Sequence, residues 1–138
     1  MNALRIVTVV YLAQSLAAAV YAFRHGLRAE PFGIGLPFGL ATEFVIGWGT
    51  AISPGLPLYV LLVACLALTW RRGAAPNAGV TLGILGALMF LGHLVERIVW
   101  TGFAGGPLVA AFALGGAALA LAMAASARLV AGRSSQHR

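Results

Sequence analysis

The sequence predicts an all-α integral membrane protein, a four-helix transmembrane bundle with a re-entrant or interfacial segment between its first two helices. Three observations carry this. Of 138 residues, 61% are hydrophobic and only 9% are charged, against roughly a quarter charged in soluble domains. Several uninterrupted apolar runs are long enough to cross a hydrocarbon layer of about 30 Å as helices. The arginines stand at the ends of those runs.

The first run, residues 6–23, defines a span at about 4–23. It resembles a secretory signal in having Arg5 before it and small residues at 17–19, but it continues through Tyr21 and Phe23 to Arg24, which favours a retained helix. The second span, at about 55–70, is shorter and closes on Arg71 and Arg72. The third and fourth, at about 78–101 and 107–130, are long and apolar. All must be helical, because in lipid a backbone satisfies its N–H and C=O groups only in a helix or a closed barrel, and the alternating strands of a barrel are missing.

Residues 32–53, "FGIGLPFGLATEFVIGWGTAIS", are long enough to span but hold five glycines, Pro37 and Glu43. That composition makes a poor continuous helix. The segment is expected to be helical over part of its length and not to traverse the bilayer; five spans are the alternative. The chain is expected to form a single transmembrane domain over residues 1–138.

Nine arginines face three glutamates, with no lysine or aspartate, for a net charge of +6. A nucleic-acid partner is excluded, because the arginines mark helix ends and form no basic face. With four spans, Arg5, Arg71, Arg72, Arg128, Arg133 and Arg138 share one side and Arg24 and Arg28 the other. The positive-inside rule then puts both termini in the cytoplasm and the chain in the inner (plasma) membrane. Small residues at four-residue spacing (Gly79, Gly83, Ala87; Gly116, Ala120, Ala124; Ala18, Ala22, Gly26) mark close helix contacts of a compact bundle. The single Cys65 excludes an internal disulfide.

Polar groups inside spans are costly and are default functional candidates. On a continuous third helix, His93, Glu96, Arg97 and Trp100 fall within an arc of roughly 100°. Arg24, His25 and Glu30 after the first span, with Glu43 and Trp48 in the intervening segment, converge on the same outer level. Glu96 and Arg97, adjacent on a helix, point apart; the expected pairs are Glu43 with Arg97 and Arg24 with Glu96, Arg97 being buried in partnership. Gln14 and Ser15 are expected to donate hydrogen bonds between helices. A buried ion-pair network holding the odd segment in register, or side chains snorkelling to the interface, explains this group as well as a reaction centre does.

The leading functional expectation is an accessory or assembly subunit of a larger membrane complex, since the chain has no soluble domain and few candidate catalytic groups. The alternative is a membrane-embedded enzyme or binding protein for an apolar lipid-like, isoprenoid or quinone ligand, with His93 and Glu96 as acid and base. A small proton-coupled transporter using Glu43 or Glu96 is the third. No metal and no cofactor is expected, since His25 and His93 alone would have to ligate a haem or contact a quinone. The expected partners are the lipid bilayer, other membrane subunits or a second copy of the chain.

Overall fold

The computed structural model describes residues 1–35, 37–71, 73–103 and 105–135, with side chains through residue 130. Arg72, His137 and Arg138, and the side chain of Arg133, lie outside the described residues. Six helices follow in order: α1 (Asn2–His25), α2 (Leu40–Ile46), α3 (Leu56–Leu68), α4 (Ala75–Val95), α5 (Arg97–Trp100) and α6 (Pro107–Ser135). Among the described residues there are isolated backbone bridges but no strands.

Three helices are long and apolar enough to cross a membrane: Asn2–His25, Ala75–Val95 and Pro107–Val130. The 24 residues of α1 and 21 of α4 extend about 36 and 32 Å at 1.5 Å per residue. Their outer faces expose large apolar side chains such as Ile6, Leu16, Ile84, Leu91, Leu114 and Leu121. In water so much exposed apolar surface would drive aggregation; it is consistent with a helical membrane protein. The apolar α3, 13 residues, extends only about 20 Å.

Helix limits follow from local chemistry. Gly26, at φ +66°, ends α1 in a left-handed cap whose N–H donates to the Ala22 carbonyl. Prolines sit in the first turns of α3, α4 and α6, where a missing N–H removes no helical hydrogen bond. Residues 32–53 are helical only over Leu40–Ile46, as their glycines and Pro37 predict.

The third helix departs from the expected 78–101. It begins earlier, at Ala75, and stops at Val95, with Glu96 extended at φ −67° and ψ 131°. The cause is a pairing with a segment 66 residues away. The Phe32 N–H donates to the Val95 carbonyl at 2.8 Å and the Arg97 N–H to the Glu30 carbonyl at 3.3 Å, around an antiparallel bridge between Pro31 and Glu96. These bonds satisfy backbone groups that a continued helix would have used.

One buried cluster draws on all four longer helices: Leu4 and Tyr11 from α1, Leu62 and Cys65 from α3, Leu82, Leu85 and Met89 from α4, and Ala120, Met123 and Ala127 from α6. The α4–α6 contact is the most intimate. A Cβ placed on Gly83 would lie 2.5 Å from the Ala127 Cβ, and one on Gly86 2.7 Å from the Ala120 carbonyl oxygen. Ala18 and Ala22 of α1 pack with Val109 and Ala113 of α6 in a second cluster.

At the first end of the molecule, Arg5 clamps α1 to the end of α3: its Nε donates to Thr69 Oγ1 at 3.0 Å, another guanidinium nitrogen donates to the Thr69 carbonyl, and the cation lies 4.9 Å from the Trp70 ring centroid. At the other end, residues 26–55 form a cap. The Phe44 ring of α2 meets Phe23 of α1 at 5.3 Å and Tyr59 of α3 at 6.0 Å. Gly49 and Gly55 close the return to α3, where a Cβ on either would lie within 2.5 Å of backbone, 2.3 Å from the Ser53 carbonyl oxygen and 2.5 Å from the Gly47 carbonyl carbon.

Candidate functional site

Beneath this cap lies a cavity of about 220 Å³. Its walls are apolar, with Leu58 of α3, Leu88 and Met89 of α4, and Ala51 and Pro54 of the cap. Into them are set Tyr11 of α1, His93 and Glu96 at the end of α4, and Trp48, Thr50 and Ser53 of the cap. Leu88 and Trp48 are both more than half exposed, so the cavity opens sideways between α4 and the cap, towards the surface that lipid would cover.

His93 is 8% exposed and stands where α4 meets α6. Its imidazole lies on the backbone of Gly116: a Cβ there would be 2.7 Å from Nε2. Gln14 reaches the same point from α1, its Oε1 lying 3.4 Å from that Cβ position. The Gln14 amide nitrogen donates to the Phe112 carbonyl at 2.8 Å, while Oε1 is buried without a partner among the described residues. Tyr11 is fully buried and its hydroxyl, too, has no partner among the described residues. A buried hydroxyl left unpaired costs about 1–3 kcal/mol, so a hydrogen-bonding group in the cavity would relieve a real penalty.

Glu96 accepts a hydrogen bond from the Glu30 N–H at 3.1 Å. Burial lifts its carboxyl pKa from 4.5 to about 7; that hydrogen bond opposes the rise and the neighbouring Glu30 carboxylate adds to it. The group therefore exchanges its proton near neutral pH, the property a general acid or base requires.

The remaining sequence candidates are placed as follows. Arg97 is not buried: its side chain is 57% exposed and pairs at 2.8 Å with Glu30, in place of Glu43 or Glu96. The helix break at Glu96 turns it out of the protein-facing stripe. Glu43 is fully buried and pairs instead with Arg28, whose Nε donates to Glu43 Oε1 at 3.2 Å; that hydrogen bond raises the Arg28 pKa above its ordinary value. The other Glu43 oxygen is buried without a partner among the described residues.

Arg24 is exposed on the last turn of α1 and makes no ion pair with Glu96. His25 is exposed, stacked on Tyr21 at 4.0 Å, with Nδ1 2.9 Å from the Tyr21 carbonyl oxygen. Trp100 is 75% exposed and donates to the Leu94 carbonyl at 2.6 Å. Gln14 bonds between helices as expected, but the Ser15 hydroxyl donates within α1, to the Leu12 carbonyl at 3.2 Å.

Of the nine residues of the polar group singled out from the sequence, the cavity thus gathers His93, Glu96 and Trp48. Tyr11 was overlooked because it reads as one more aromatic in an apolar run. Among the described residues no three His, Cys, Asp or Glu side chains come together as a metal site would need. Searches of protein-family models, of curated proteins and of solved structures find no match to this chain.

Proposed function

We propose that this protein binds a membrane-borne, largely apolar molecule carrying one hydrogen-bonding head group, of the isoprenoid-alcohol or quinone type, in the cavity beneath the cap. The observation that carries the reading is Tyr11, which lines a cavity that also holds His93 and Glu96 and whose buried hydroxyl has no partner among the described residues. A volume of about 220 Å³ suits a head-group ring and excludes a whole lipid. The sideways opening lets an apolar tail remain in the bilayer. His93 and Glu96 then supply acid and base to the bound head group.

In the same proposal α1, α3, α4 and α6 cross the membrane and the cap is an interfacial or re-entrant layer over the short α3. Both ends of the chain face the cytoplasm, on the arginine count of the two sides. A diazirine-bearing isoprenoid alcohol tests the binding. Photolabelling in the 88–96 and 48–58 segments, competed by unlabelled alcohol and lost in Tyr11→Phe with His93→Ala, supports the proposal. Labelling spread along all exposed helix faces contradicts it.

The accessory-subunit reading comes second, favoured by one observation. A surface groove of about 230 Å³ between α4 and α6, lined by Gly83, Ala87 and Ala124, would admit a partner helix closely. Co-purification of a larger complex in mild detergent tests it. It leaves the unpaired hydroxyl of Tyr11 unexplained.

A further inference from the structure

Glu96 borders two cavities. On its inner side is the one shared with Tyr11 and His93. On its outer side is a second, of about 340 Å³, lined by Arg28, Glu30, Arg97 and Thr101 with the apolar Ile98 and Ala51. The two differ in charge. Glu96 is the charged side chain of the inner lining, while the outer lining carries Glu96 with Arg28, Glu30 and Arg97, these last three partly exposed.

We propose that Glu96 is a proton-exchange gate, exchanging its proton with water that enters the outer cavity and, when protonated, donating a hydrogen bond to the head group of a molecule in the inner one. This rests on the ligand-cavity reading and adds to it a direction: protons enter or leave from the capped end.

The geometry supports this in three ways. First, Glu96 lies in extended backbone at the break between α4 and α5, and it lines both cavities. Second, the Glu30 N–H bonds Oε2 alone, leaving Oε1 to carry and release a proton. Third, the ion pair of Arg97 with Glu30 at 2.8 Å, both side chains partly exposed, sets a cation and an anion on the wall of the outer cavity. The step is a proton transfer only. The Glu96 carboxylate takes a proton from water on the outer side and, as a neutral carboxyl, donates a hydrogen bond to an oxygen of the bound head group on the inner side; the proton returns to water when the carboxyl ionises, with no change of oxidation state.

The charged and titratable groups around Glu96 are Arg28 and Glu30 from the cap, Arg97 from α5, and His93 and Tyr11 from the inner cavity. Glu30 and Glu96 repel, which favours the protonated form of Glu96. Arg97 and Arg28 are each engaged by another glutamate, Glu30 and Glu43.

Infrared titration of the purified full chain in mild detergent tests the gate, with Glu96→Gln as the variant because an amide oxygen still accepts from the Glu30 N–H. The expected result is a protonated-carboxyl band that titrates near pH 7, shifts promptly in heavy water and is absent from Glu96→Gln. Adding decylbenzoquinone should quench Trp48 and move the band's midpoint by about one pH unit, as a new hydrogen bond to one protonation form does. A band that fails to titrate, that resists heavy water, or that ignores a probe shown to quench Trp48 overturns the gate and leaves the binding reading standing. Failure of the probe to quench Trp48 at any pH overturns both.

Discussion

His93 of α4 rests directly on Gly116 of α6, with imidazole Nε2 2.7 Å from where a Cβ at position 116 would be. The side chain that most marks the cavity is therefore positioned by the absence of another. Gly116→Val should drive the imidazole out of place. Overpacking of this kind costs about 1–3 kcal/mol, read as a lower unfolding temperature, and binding in the cavity should be lost with it. Gly86→Val makes the comparison, since its Cβ would meet the Ala120 carbonyl oxygen at 2.7 Å away from the cavity. It should lower stability by a similar amount, and any fold that survives should keep its binding.

The two ion pairs of the capped end predict unequal losses. Glu43 is fully buried while its partner Arg28 is 40% exposed; Glu30 and Arg97 are 38% and 57% exposed. Arg28→Ala strands a buried carboxylate and should cost the more of the two. Arg97→Ala removes an exposed pair and should cost less than about 1 kcal/mol. Thermal unfolding of both variants in one detergent decides this; equal losses, or a larger loss at Arg97, would show that the cap is held differently.

Stability should depend on pH through Glu96. Its folded pKa, about 7, is above the unfolded 4.5, so the folded state binds the proton more tightly. The sign follows: the contribution is complete below pH 4.5, falls as pH rises, and is gone above pH 7. At about 1.4 kcal/mol per pKa unit the effect is on the order of 3 kcal/mol at most. Unfolding temperatures measured from pH 4.5 to 8 should decline more steeply for the wild type than for Glu96→Gln. Parallel curves would assign the dependence to other groups.

Much of this architecture is legible in the residues, and the rest fails for identifiable reasons. The runs that become α1, α4 and α6 are apolar without interruption, and lipid leaves them no alternative to helix. Gly83, Ala120 and Ala124 mark close packing because only small side chains permit it. The convergence of Glu30, Glu43 and Glu96 on one end follows from counting helices. The break at Glu96 does not, because its cause is backbone pairing with Glu30 and Phe32, remote in sequence. Once the helix is assumed unbroken, Arg97 falls on a buried stripe and is paired with the wrong glutamate. Tyr11 carries no local signal and Gly116 only that of a close helix contact, since their roles in the cavity exist only where α1, α4 and α6 meet.

The proposed topology makes its own prediction. Cysteine placed at Gly105, between α5 and α6, should react with an impermeant maleimide from outside intact cells. Cysteine at Ser135, at the end of α6, should react only after the membrane is opened. The native Cys65 is buried, so the background should be low. External labelling at residue 135 would invert the orientation and put the capped end in the cytoplasm.

The central claim is that the cavity holding Tyr11, Trp48, His93 and Glu96 binds the head group of a membrane-borne molecule. Its most direct measurement is a titration of the purified protein with decylbenzoquinone, followed by quenching of tryptophan fluorescence. Trp48 lines the cavity, whereas Trp100 is on the outer surface. Quenching should saturate and should persist when Trp70→Phe and Trp100→Phe are combined, leaving Trp48. Losing one hydrogen bond of about 0.5–1.5 kcal/mol, Tyr11→Phe should bind roughly 2- to 10-fold more weakly, and Tyr11→Phe with His93→Ala more weakly still. Quenching that never saturates, or that is the same in the wild type and in the double variant, would contradict the claim.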